Sequence, residues 1–184
     1  MSSSSGKNSE FPSPSSKKSR EELDDLRNLL DKLDRIKRVL RSESSNQDEL
    51  INQAISHLSR LLIVRCCGYL EFLLSEASRV CSERDAYKLV GYINYLERSR
   101  RGVKADIDRI ITTLKHLSSS PIGSFEDELN SEKSNIKSMI SMRNLISHGE
   151  NEGSTKSKAI DYYDSTIRVS EIIESALGAS SNGK

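Results

Sequence analysis

Three histidines are the side chains of this 184-residue sequence whose ordinary pKa suits proton transfer near neutral pH. His57 lies among Ile55, Leu58 and Ser59, with no acidic or cysteine side chain at ligand spacing, and reads as a surface or boundary histidine. The other two each follow an arginine: His116 comes seven positions after Arg109, and His148 five after Arg143. Such a pair combines a proton carrier with a planar anion binder. In a chain with fifteen arginines the spacing alone discriminates little, so the surrounding residues must decide. Arg109-Ile-Ile-Thr-Thr-Leu-Lys-His116 falls inside an amphipathic period, and seven residues make about two turns, so this pair reads as a solvated helix face. Arg143-Asn-Leu-Ile-Ser-His148 is followed directly by Gly149, the residue type preferred just past a helix end. On a straight helix, five positions would turn the two side chains about 140° apart. A helix that stops at His148 is expected to let the imidazole swing back toward Arg143.

The elements that must position these residues are helices. No proline occurs between Ser15 and Ser120, as a run of long helices requires. A first helix is expected to start at Ser19, with Glu22 as its capping-box partner, and to carry Leu23, Leu26, Leu30 and Leu33. A second is expected from about Ser44 to Val80. Its middle, Leu61 to Leu74, is apolar nearly all round, which places it at the centre of a bundle, with Gly68 marking a close helix crossing. Further helices are expected over Ser82 to Arg98, Val103 to Leu117, Ser124 to His148 and Ser157 to Leu177, separated by a basic turn, the loop Ser118–Gly123 and a polar loop from Gly149. No strand-like alternation competes. The fold class is an all-α antiparallel helical bundle.

Composition narrows the function classes. Twenty-eight basic and 27 acidic side chains leave a net charge of +1, which disfavours a globally cationic nucleic-acid binder but allows a local basic patch. Arg65 and Glu71 interrupt the longest apolar stretch, so no membrane span is expected. Cys66, Cys67 and Cys81 form no C-x-x-C pair, and neither a disulfide framework, a zinc site nor any cofactor is expected. The chain reads as cytoplasmic. The serine-rich residues 1–18 and the last residues 179–184 read as disordered tails flanking one domain over 19–178.

The segment Arg143-Asn-Leu-Ile-Ser-His148, placed before the final helix, resembles the R-x(4–6)-H motif of the HEPN superfamily, in its RiboL-PSP and MAE types. Cys67-Gly-Tyr-Leu-Glu71-Phe-Leu-Leu74 is similar to the helix that carries a glutamate beside an aromatic residue in such proteins. The resemblance covers about Leu50 to Leu177 and implies a four-helix HEPN-like core with additional helices. It also implies a metal-independent endoribonuclease that cleaves RNA by 2′-hydroxyl attack, of the kind used as a toxin or in antiviral defence. In that reading His148 moves the proton, Arg143 binds the phosphate and Asn144 contacts phosphate or ribose, or orients His148. Glu71 holds Arg143; its alternatives are Arg65, another basic residue, or solvent. Arg98, Arg100, Arg101 and Lys104, a dense basic cluster, are candidates for tracking RNA, with Tyr87, Tyr92 and Tyr95 beside them. One catalytic histidine per chain implies a homodimer, and a destructive activity implies an antitoxin or other regulatory partner. The competing expectations are a non-catalytic HEPN-fold module that binds RNA or protein, and an unrelated helical scaffold.

Overall fold

A computed structural model describes residues 11–40, 45–84, 90, 93, 106–118, 123–150 and 153–178. Among the described residues the regular structure is helical throughout. The helices are α1 (Pro14–Leu40), α2 (Ser45–Arg84), α3 (Ile107–Leu117), α4 (Gly123–Ser131), α5 (Lys133–Ser147) and α6 (Lys156–Gly178). The helix expected over Ser82 to Arg98 lies mostly outside the described residues; its first three residues instead continue α2 to Arg84.

The 40-residue α2 packs against α1, α3, α5 and α6, so the bundle is organised around it. Leu62, Ile63, Leu70, Leu73 and Leu74 are wholly buried there. They meet Leu23 and Leu30 of α1, Ile110 and Leu114 of α3, Ile136 and Met139 of α5, and Val169 and Ile173 of α6 in one core. Each such burial contributes about 1.5–3 kcal/mol. The chain's many leucines and isoleucines thus fix the bundle, and α5 in it.

Three local expectations are corrected. The boundary at residue 18 falls inside α1, which starts at Pro14. Ser13 Oγ accepts from the backbone N–H groups of Ser15 and Ser16 at 3.1 and 3.2 Å, as an N-cap does, and Pro14 takes the first helical position, where its missing N–H costs nothing. Ser13 and Ser16 also donate to Glu76 of α2, which ties this end of α1 to the core. The single helix expected over Ser124 to His148 is two. It breaks at Glu132, whose nearly buried carboxylate accepts from Arg168 of α6 at 2.6 and 3.1 Å. Arg168 holds the Glu132 carboxyl below its usual range through that hydrogen bond, against burial, which acts the other way. Third, among the described residues no helix crosses closely at Gly68. The glycine faces outward, and a Cβ there would meet no described atom within 4 Å, although glycine inside a helix costs about 1 kcal/mol relative to alanine.

Candidate active site

Arg143 projects from the last full turn of α5 toward α2, and its Nη2 donates to both oxygens of Glu71, at 3.0 Å to Oε1 and 3.3 Å to Oε2. The two side chains are 34% and 33% exposed, so the pair sits at the rim of the core rather than inside it. Both bonds use one nitrogen of the fork, and Glu71 leaves Nε and Nη1 to other acceptors. Beneath the pair, one turn back along α2, lies the buried thiol of Cys67, pushed up to about 12 mainly by burial; Arg143 pulls it down and Glu71 raises it further. Cys67 is therefore a neutral apolar floor. Glu71 is the one acidic residue between Leu61 and Leu74, and its carboxylate at the rim has the partner that its position demands.

The end of α5 is built in detail. Ser147 Oγ donates to the Arg143 carbonyl one turn back along the helix, at 2.8 Å. The Glu150 N–H reaches the Leu145 carbonyl at 2.9 Å and the Gly149 N–H reaches that of Ile146 at 3.1 Å. With Gly149 at φ +82° this is the Schellman arrangement, and His148 is its C-cap. The helix stops where the sequence signals it. His148 itself, at φ −90° and ψ 6°, has left the helical conformation. Its N–H still bonds back to the carbonyls of Asn144 and Leu145. The imidazole is exposed to solvent.

Of the residues singled out from the sequence, the structure joins Arg143 to Glu71. Among the described residues no hydrogen bond joins the His148 ring to either. Asn144 has an exposed side chain, and it is its backbone carbonyl that meets the His148 N–H. Arg65 pairs with Glu22 of α1 and not with Glu71. Arg109 belongs to the N-terminus of α3, beside its cap Asp106, and His57 lies against Arg60 at 3.3 Å. Arg98, Arg100, Arg101, Lys104, Tyr87, Tyr92 and Tyr95 lie outside the described residues.

Lys158 was not singled out. The loop after His148 folds back at Gly153 (φ +84°), where an added Cβ would lie 3.5 Å from Met142 Cε and 3.7 Å from Lys158 Nζ. A cation of α6 thus stands beside the residue that precedes Arg143. Its only sequence signal is its place just after the loop. No group of three or more His, Cys, Asp or Glu able to hold a metal ion occurs among the described residues, and no helix there is long and apolar enough to cross a membrane.

An all-α bundle is the fold expected of HEPN domains. Residues 17–179 match the RiboL-PSP-HEPN family model, and the chain belongs to that family of the HEPN superfamily. Comparison with curated proteins and with solved structures gives no match. The HEPN superfamily includes ribonucleases, which directs attention to RNA.

Proposed function

We propose that the chain is a metal-independent endoribonuclease. The observation that carries this reading is the Arg143–Glu71 pair at the end of a helix that stops on His148, within a chain of the RiboL-PSP-HEPN family. The fork of Arg143, held through Nη2, presents its remaining donors to a phosphate and stabilises the charge that builds on its oxygens. The ribose 2′-oxygen attacks the adjacent phosphorus and gives up its proton to a base. The 5′-oxygen leaves and takes a proton from an acid, so a 2′,3′-cyclic phosphate and a 5′-hydroxyl remain. His148 carries one of these protons, a role worth about 10²–10⁴-fold. The other falls to His148 of a second copy, so the working unit is a homodimer. Asn144 and Lys158 contact the RNA backbone, and Arg98, Arg100, Arg101 and Lys104 extend the track. Unrestrained cleavage would damage the producing cell, which fits a toxin or defence effector held by an inhibitory partner.

The test is cleavage of end-labelled RNA in excess EDTA with end-group analysis. The expected result is a cyclic phosphate product, lost in both Arg143→Ala and His148→Ala while helical circular dichroism is retained. Intact RNA, or equal cutting by all three proteins, refutes the proposal; intact RNA retained in a complex is the result expected of a binding module.

A further inference from the structure

We propose that the outer face of α5 is a phosphate track, along which a single RNA strand lies as it leaves Arg143. What the strand undergoes there rests on the nuclease reading above; the binding face itself does not.

Composition sets α5 apart. Of the six described helices it is the one with no acidic side chain, and it carries Lys133, Lys137 and Arg143. In a chain of net charge +1, with acidic and basic residues nearly equal in number, that is a local cationic strip on an otherwise balanced surface. Ile136, Met139 and Met142 turn to the core. The 3.6-residue period therefore gathers Lys133, Lys137, Ser141 and Asn144 on the opposite side, where all four are exposed. Lys133 and Lys137 stand one turn apart, about 6 Å, and Asn144 lies about 16 Å from Lys133 along the helix. Ser134, also exposed, adds a hydroxyl beside the row.

The two amines are available to a ligand. Among the described residues Lys137 has no ion pair. Lys133 meets Asp108 of α3 at 2.6 Å, but half of the lysine and more than half of the aspartate side chain face water. An ion pair so open to solvent is weak, and it yields its amine to a phosphate.

The chemistry of the face favours RNA over a protein partner. It offers amines, hydroxyls and an amide, and its one large exposed apolar side chain is Leu145. Protein interfaces are centred on apolar or aromatic anchors, whereas nucleic-acid interfaces are polar and cationic. The row is also continuous with the candidate site. Asn144 directly follows Arg143, so a strand with one phosphate on the open donors of Arg143 crosses Asn144 and runs on toward Lys137 and Lys133. A row one side chain wide fits one strand. Lysines that meet phosphates read no bases, so the track sets where the strand lies and not its sequence.

The test is anisotropy of a fluorescein-labelled oligouridine of about 12 nucleotides, titrated with the full chain carrying His148→Ala so that the probe stays whole. Salt is varied between about 50 and 200 mM. Lys137→Ala is expected to weaken binding about fivefold near 0.1 M salt and to lower the slope of log K against log salt by about 0.7; K133A/K137A is expected to cost about 25-fold and to lower the slope by about 1.4. Oligoadenosine is expected to lose the same factors. Alanine at exposed helical positions favours the helix, so circular dichroism is expected to stay unchanged. Lys32→Ala, at an exposed position on α1, is expected to alter neither affinity nor slope. With His148 restored, K133A/K137A is expected to raise KM for RNA and keep kcat.

A chain that binds no RNA, a K133A/K137A variant with unchanged affinity and slope, or an equal loss from Lys32→Ala overturns the track. Binding of labelled polyglutamate in place of RNA also overturns it and points to an acidic protein partner. RNA held through these lysines but never cut by the wild type keeps the track and removes the nuclease. Cutting with an unchanged slope in K133A/K137A keeps the nuclease and removes the track.

Discussion

Replacing Glu71 by alanine removes the carboxylate that holds Arg143 and leaves the guanidinium in place. Each partner is about one-third exposed, so the pair lies between a surface ion pair, worth under about 1 kcal/mol, and a buried charged hydrogen bond, worth about 1.5–3. A loss of about 1 kcal/mol follows, which lowers Tm by about 2–4 °C in a chain of this size. The effect on cleavage is of another kind. In the proposed reaction Arg143→Ala removes a donor to the developing phosphate charge and is expected to lower kcat by about 10²–10³-fold. Glu71→Ala only loosens that donor, and a cost near 1.4 kcal/mol corresponds to about tenfold. Glu71→Gln keeps one acceptor oxygen for Nη2 and is expected to lose less than alanine does.

The assay is a double-mutant cycle in which kcat and KM for RNA are measured alongside thermal melts. If Glu71 acts through Arg143, its replacement changes nothing further once Arg143 is alanine, and the double variant matches Arg143→Ala. Equal fractional losses from Glu71→Ala in both backgrounds would refute the positioning role. So would an unchanged kcat in the single variant with the Tm shift present, since the pair would then serve the fold alone.

Gly149→Ala forces a left-handed conformation on a residue with a Cβ and is expected to cost about 1–2 kcal/mol, read as a lower urea midpoint; an unchanged midpoint would show that the Schellman turn is dispensable. Arg168→Ala leaves Glu132 without its partner. Because the Glu132 carboxyl is held low in the fold, the pair stabilises above its ordinary value of 4.5 and stops doing so as pH falls, so wild type and variant should differ by about 1 kcal/mol at pH 7 and converge in acid melts. Cys66 and Cys67 are both pushed by burial from an ordinary 9.0 to about 12. Between those values the fold keeps protons that the unfolded chain gives up, so stability falls with rising pH by about 1.4 kcal/mol per pH unit for each thiol, a slope that C66A/C67A should flatten in denaturant titrations.

The helices were legible where one signal dominated. Proline-free leucine periods gave α1 its length, the all-round apolar run put α2 at the centre, and glycine after His148 marked the end of α5. A single carboxylate in an apolar run calls for a cation, but the run left Arg65, another basic residue or solvent open for Glu71, and the choice of Arg143 came with the family resemblance. Failures came where a local signal met a longer-range one. Serine richness hid the Ser13-Pro14 cap, whose value comes from Glu76, 63 residues away. The break between α4 and α5 answers to Arg168 on another helix, and no local pattern around Glu132 reports that. Gly68 signalled a close approach that no element among the described residues makes.

The end of α5 separates what is fixed from what is presented. Arg143 is anchored twice, its carbonyl by Ser147 and its guanidinium by Glu71, so a phosphate arriving there meets a donor already oriented. His148 has a fixed backbone, set by the Schellman turn, and an exposed ring with no hydrogen bond to that donor. A proton carrier must lie within hydrogen-bond reach of the atom it serves. In a lone chain no hydrogen bond ties the ring to its own Arg143, so nothing within the chain orders it on a phosphate held there. If the chain cuts RNA, the imidazole that serves a given Arg143 is ordered by the bound strand or supplied by the other copy, and ordering it costs only about 0.5–1.5 kcal/mol. Mixing Arg143→Ala with His148→Ala tests this: restored cleavage means that each arginine works with its partner's histidine and that one imidazole suffices, and continued inactivity means that a site needs both imidazoles or is served from within one chain.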